Sequence, residues 1–181
     1  MREEKVLVLD PVMIEHCAPS VAPATLLQVI RTESGGDRYA LNVNGLGRFR
    51  SSSVLAARRK AEVAIALGYS VDIGLMQINS QHLRRFHLTV AQAFEPCTNL
   101  KIGAMLLTAS YIDAARIFGP GQGALQHALS AYNTGNFERG LDNGYVAQYY
   151  IARRSSARKR GTPSTDEWPL SASTRSPPSI E

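Results

Sequence analysis

The chain has 181 residues, 44% of them hydrophobic, and carries 20 basic against 15 acidic side chains for a formal charge of +5. That length suits one globular domain with a real core, and no run approaches the roughly 20 consecutive apolar residues of a membrane-spanning helix. Much of the basic surplus sits at Arg153, Arg154, Arg158, Lys159 and Arg160; basic residues do not interleave with aromatics as in a nucleic-acid module, and an anionic cell-envelope partner suits the charge equally well.

The start, from Met1 to Pro11, makes a poor signal peptide, because its basic end includes Glu3 and Glu4 and its apolar run is cut by Asp10 and Pro11. Residues 1–16 show no clear period and read as an N-terminal segment. Cys17 to Pro23 is a loop leading into a helix predicted from about Pro23 to Ser34, with Pro23 suited to the first turn. Glu33 lies where that helix stops. The apolar Leu26, Leu27, Val29 and Ile30 before it deliver its carboxyl from a rigid element, and Gly35-Gly36 lets the chain turn sharply beside it. Half burial there would raise its pKa. On this stretch alone, Glu33 is an ordinary surface glutamate whose charge slightly opposes the helix dipole.

Asp37 to Gly47 reads as turns with a short hairpin. Ser51-Ser52-Ser53 offers an N-cap for a helix with Val54, Leu55, Ala57, Ala61, Ala64, Ile65 and Leu67 on its apolar face, ended by Gly68. Tyr69 to Ser80 gathers apolar and amide side chains around Gly74, and Asn79 or Ser80 caps a short helix through Leu83. Another short helix, Thr89 to Phe94, stops at Pro96. The longest helix is predicted from near Thr98 to about Phe118, broken by Gly119-Pro120-Gly121. Leu125, Ala128, Leu129 and Tyr132 mark the next, which ends in Asn133-Thr134-Gly135. A last helix starts near Asn143 and includes Tyr145, Val146, Tyr149 and Tyr150. Residues 155–181 are rich in Ser, Thr, Pro and basic side chains and read as a disordered tail. No strand run is long enough for a central sheet, so the fold class is mainly α, several short helices with at most a small β hairpin.

Cys17 and Cys97 belong to no metal-spaced pair, and His16, His82, His87 and His127 show no metal spacing, so neither a metal nor a cofactor is expected. Two unrelated buried thiols are one reading of the cysteines. The other is a single disulfide, whose long loop would contribute at most about 4–5 kcal/mol in the chain-entropy account.

Four stretches matter together: Glu33-Ser34-Gly35-Gly36, Gly74-Leu75-Met76-Gln77-Ile78-Asn79, Ala131-Tyr132-Asn133-Thr134-Gly135 and Gly144-Tyr145-Val146. In that order they resemble the motifs of the soluble lytic transglycosylase domain family, which has a lysozyme-like fold of the goose type. The resemblance runs from about Cys17 to Tyr150 and sets the domain at residues 17–154. Cys17-Ala18-Pro19, Val71 to Asn79 and Pro96-Cys97-Thr98-Asn99-Leu100 are further similar to the transglycosylases of type IV secretion and conjugation systems, and this favours the paired reading of the cysteines.

The resemblance implies a peptidoglycan lytic transglycosylase that cleaves between N-acetylmuramic acid and N-acetylglucosamine. Glu33 would be its single catalytic carboxyl, first acid and then base, leaving a 1,6-anhydro product. Tyr145 would orient the acid. Gln77 and Asn133 would hydrogen-bond the sugar, Met76 and Tyr132 would offer it apolar faces, and Ser34 and Asn79 would complete the substrate site. Expected partners are glycan strands and secretion or conjugation components, in the periplasm or cell envelope although no signal peptide is legible. Taken without the resemblance, Tyr132 and Tyr145 are plain core aromatics, Met76 a core filler and Asn133 a helix cap. Asp72 reads as a turn residue bonding nearby backbone N–H groups. A second carboxylate would instead suit a hydrolase of muramidase or chitinase type, and a non-catalytic glycan-binding module is the third reading.

Overall fold

Helices dominate because apolar residues recur at helical spacing and the starts carry suitable residues. The computed structural model describes residues 10–150. Its elements are α1 (Pro11–Cys17), α2 (Pro23–Glu33), β1 (Leu41–Val43), β2 (Gly47–Phe49), α3 (Val54–Ala66), β3 (Val71–Ile73), β4 (Ile78–Asn79), α4 (Gln81–Arg85), α5 (Val90–Ala93), α6 (Pro96–Phe118), α7 (Gln122–Thr134) and α8 (Arg139–Asp142). Residues 145–150 are again helical. Pro11, Pro23 and Pro96 occupy the first turns of α1, α2 and α6, where a missing N–H costs nothing. Ser53 and Thr89 cap α3 and α5 with their hydroxyls. The tail assigned to residues 155–181 lies outside the described residues, as do residues 1–9. Among the described residues no helix is long and apolar enough to cross a membrane.

The class is mainly α as expected, but the β part exceeds the predicted hairpin. Four short antiparallel strands form one sheet in the order β2-β1-β3-β4. Residues Leu41, Val43, Val71, Ile73 and Ile78 are buried. Strand alternation then sends Asn42, Arg48, Asp72 and Asn79 to the other face. The register pairs Asn42 with both Arg48 and Asp72, and Asp72 with Asn79. One polar row therefore crosses the whole sheet.

Two apolar clusters hold the chain. The larger joins α1, α2, α6 and α7 with Val146 and Tyr149. The smaller lies between the sheet, α3 and Phe94. Helix α1 was not foreseen; it begins within the N-terminal segment and buries Ile14 in the larger cluster. Cys17 at its end forms a disulfide with Cys97 in the first turn of α6, their Cα atoms 5.1 Å apart.

Asn99, two residues beyond Cys97, ties the two clusters together. Its Nδ2 donates to the carbonyls of Ile73 at 2.8 Å and Ala93 at 2.7 Å, and its Oδ1 accepts from Met76 N at 2.7 Å. A buried amide satisfied on every side fixes the β3–β4 turn firmly, since each broken bond would strand a buried polar group. Gly74 is required in that turn: its φ is +75°, and a Cβ there would come within 2.6 Å of Asn99 Nδ2.

Candidate active site

The last residue of α2 is Glu33. Leu26, Val29 and Ile30 sink the helix into the larger cluster, so the carboxyl is carried on a rigid strut and is only 8% exposed. Tyr145 and Tyr149, one helical turn apart, both reach Glu33 Oε1. The Tyr145 hydroxyl donates to it in a short hydrogen bond, the Tyr149 hydroxyl donates from 3.4 Å, and the two hydroxyls are hydrogen-bonded to each other. Oε2 has no hydrogen-bond partner among the described residues, and Glu33 lines a cleft of about 770 Å³.

Burial raises the Glu33 pKa above the ordinary 4.5. The Tyr145 hydrogen bond works against that, the Asp72 charge adds to it, and the Arg48 guanidinium opposes it. Arg48 does not bond the carboxyl: its Nη2 donates to the Glu33 carbonyl oxygen at 3.1 Å, tying strand β2 to the end of α2. Burial and the neighbouring Glu33 push the Tyr145 and Tyr149 hydroxyls far above their usual range, so both stay protonated donors.

The facing wall is the polar row of the sheet. Arg48, Asn42, Asp72 and Asn79 all line the cleft. Asn79 Nδ2 donates to Asp72 Oδ1 at 2.7 Å, and Asn42 Nδ2 to Asp72 Oδ2 at 3.0 Å. Each carboxylate oxygen thus accepts one side-chain amide. Gln77 closes the β3–β4 turn in the left-handed region at φ 49°, a conformation uncommon for a residue with a Cβ, and its Nε2 donates to Gly74 O at 2.9 Å. Tyr132, on α7, bonds through its hydroxyl to Met76 O at 2.7 Å.

Of the residues singled out by sequence, Glu33, Gln77, Asn79, Tyr132 and Asn133 line the cleft, and Tyr145 reaches it through Glu33. Three readings need correction. Met76 is fully buried, because its side chain fills the space that the missing Cβ of Gly103 leaves on α6; it cannot lay an apolar face on a sugar. Ser34 does not line the cleft. Its hydroxyl donates to Ile30 O at 3.1 Å and accepts from Gly36 N at 3.2 Å, satisfying the end of α2 instead. Asn133 is not the cap of α7, which is Gly135 in the left-handed conformation. Sequence reading missed Tyr149, Arg48 and Asn42 as site residues. Only Tyr149 carried a signal, its spacing of one helical turn from Tyr145.

The family described as Transglycosylase SLT domain matches residues 11–151. The chain is 39% identical over 145 residues to the type IV secretion system protein virB1 of Brucella abortus, covering 78% of this chain and 60% of that one. It is 39% identical over 144 residues to protein virB1 of Agrobacterium fabrum, with 76% and 56% covered, and 38% identical over 140 residues to protein virB1 of Rhizobium radiobacter, with 77% and 58% covered. The chain thus spans 60% or less of the length of these relatives. No solved structure matches it.

Proposed function

The chain belongs to the transglycosylase SLT domain family, and from that premise we propose that it is a peptidoglycan lytic transglycosylase cleaving the β-1,4 bond between N-acetylmuramic acid and N-acetylglucosamine. The observation that carries this reading is the surrounding of Glu33: a buried carboxyl with a raised pKa, one oxygen held by two phenols and the other free at a cleft.

The chemistry follows from that asymmetry. Burial keeps Glu33 protonated further up the pH scale than a free carboxyl, as an acid catalyst requires. Its Oε2 proton goes to the bridging oxygen, the bond from that oxygen to C1 of muramic acid breaks, and the carbonyl oxygen of the 2-acetamido group supports the cation. The carboxylate then takes the proton of the C6 hydroxyl, whose oxygen bonds to C1 and displaces the acetamido oxygen. Glu33 ends as it began, and the product is a 1,6-anhydro sugar. The attacking hydroxyl is already attached to the substrate, which gives it an advantage over water. The Tyr145 and Tyr149 hydroxyls hold Oε1 through both protonation states and support the carboxylate between the two steps.

The virB1 relatives are named as type IV secretion proteins, and the reaction here serves to open the cell wall for such an apparatus, or for a conjugation machine, in the periplasm or cell envelope. A hydrolytic reading draws on one observation, that Asp72 lies in the same cleft and could activate water as a second carboxylate. The amide bonds on both Asp72 oxygens count against it. Glu33→Gln tests the assignment of the acid: kcat on purified sacculi is expected to fall about 10³-fold or more with the fold retained by circular dichroism. Clearing at the wild-type rate would refute it.

A further inference from the structure

The face of the sheet turned away from the cleft carries a second hollow. Arg48 lines the cleft, so its strand neighbour Phe49 takes the opposite face, towards α3. There Leu46 and Phe49 of the β1–β2 hairpin, with Val63 and Leu67 of α3, line an open groove of about 380 Å³. All four side chains are exposed, Val63 by 60% and Leu67 by 70%. Arg59 and Lys60 supply the charge of its lining. Arg59, Val63 and Leu67 follow one another at a spacing of four residues, so a cation and two apolar side chains share one line along α3. Arg58 is paired with Glu62 at 2.7 Å, but neither Arg59 nor Lys60 has a carboxylate within ion-pair distance among the described residues. Lys60 Nζ donates to the Arg50 carbonyl at 2.6 Å.

An exposed apolar groove with unpaired cations in its lining suits a segment that sets acids beside large apolar side chains. The chain holds such a segment beyond Tyr150, Asp166-Glu167-Trp168-Pro169-Leu170. Every other charged residue from Ile151 to Ile180 is basic, so like charge disfavours those stretches at Arg59 and Lys60. The tether is long enough for any place on the surface. Fully extended, the link from Tyr150 to Trp168 spans up to about 60 Å, against a radius of gyration of about 14 Å for a domain the size of residues 10–150. Tethering also raises the effective concentration to the order of 1 mM, at which a contact of about 50 μM as separate pieces is closed in about 95% of molecules.

We propose that Asp166 to Leu170 docks in the groove between the β1–β2 hairpin and α3 of the same chain. Trp168 and Leu170 cover the apolar side chains of Phe49, Val63 and Leu67, and the two carboxylates meet Arg59 and Lys60. Trp168 brings the largest apolar area of the segment, and the guanidinium of Arg59 suits a carboxylate through paired charge-assisted hydrogen bonds. The docked segment lies on the α3 side of the sheet, away from the polar row that faces Glu33, so it leaves the cleft open.

Trp168 is the sole tryptophan of the chain, so its fluorescence reads the segment directly in the full-length protein. Acrylamide should quench it about threefold less than it quenches a free peptide of residues 161–175, as burial of the ring in a largely closed tether requires. Leu67→Asp should raise quenching to the peptide's value; Leu67 is 70% exposed, so the fold is spared, as circular dichroism checks. Arg59→Glu should raise it as well, and adding Asp166→Arg and Glu167→Arg to that variant should restore the protection. Wild-type quenching equal to that of the peptide would leave the groove to another molecule and overturn the proposal. Protection that survives Leu67→Asp would place Trp168 elsewhere, and protection lost on dilution would place it in the groove of a second copy; either result overturns it. A charge-reversed variant that stays unprotected would overturn the pairing that selects this segment.

Discussion

Glu33 and Asp72 line one cleft from two different kinds of wall. Glu33 ends a helix sunk in the larger apolar cluster, is 8% exposed and meets two tyrosine hydroxyls on one oxygen. Asp72 is the middle residue of a three-residue strand, within the polar row of the sheet, and each of its oxygens accepts an amide from a neighbouring strand. The helical wall makes ionisation costly and leaves an oxygen free to exchange a proton with a ligand. The sheet wall spends both oxygens of its carboxyl on holding Asn42 and Asn79 in place. Position in a cleft therefore does not decide what a carboxyl can do; the groups already bonded to it do.

The largest effect expected from disturbing this contrast is at Tyr145. Tyr145→Phe removes the strongest opposition to the raised Glu33 pKa and the main support of the carboxylate. We expect kcat to fall by about 10- to 100-fold and the alkaline limb of the pH–rate profile to move to higher pH, because the ionised form loses its hydrogen bond. A limb moved to lower pH would show that the phenol acts differently. Asp72→Asn should do less, a loss within about tenfold. Its limb should shift the other way, since the charge that raises the Glu33 pKa is gone. If Asp72→Asn instead costs as much as Glu33→Gln, the two walls share the chemistry and the contrast collapses.

The smallest effect is on stability, and its sign is the informative part. In the unfolded chain Glu33 ionises near 4.5, and in the fold only at higher pH. The folded state therefore holds its proton more tightly, and the resulting stability is full below about 4.5 and is lost as pH rises through the folded pKa. Glu33→Gln keeps the neutral shape without that loss. Thermal melts should show wild type and variant alike in acid and the variant melting higher at neutral pH. A variant that melts lower at neutral pH would mean that the ionised carboxyl is well accommodated.

The helical wall was far more legible in sequence than the sheet wall. Helix α2, its glycine turn and the Tyr145 helix are each marked by local spacing, but only the family resemblance of the four motifs named the acid and its principal partner together. Strands of two or three residues carry no period, and their pairing joins Asn42 to Arg48 and Asp72 across turns and a whole helix. No window of sequence contains that row. Helix α1 was legible but misread. Asp10 and Pro11 looked like the end of an apolar run, whereas Asp10 accepts a hydrogen bond from Val12 N and Pro11 opens the helix. Met76 illustrates the converse limit: its motif pointed to the cleft, but the hollow over Gly103 decided where its side chain went.

In the proposed reaction one carboxyl serves as both acid and base, and the substrate supplies its own nucleophile. Mass spectrometry of the muropeptides released from purified sacculi by the wild-type chain tests it most directly. Muramic ends in the 1,6-anhydro form are expected, each lighter by one water than a reducing end. Products carrying only reducing ends would contradict it and return Asp72 to the reaction.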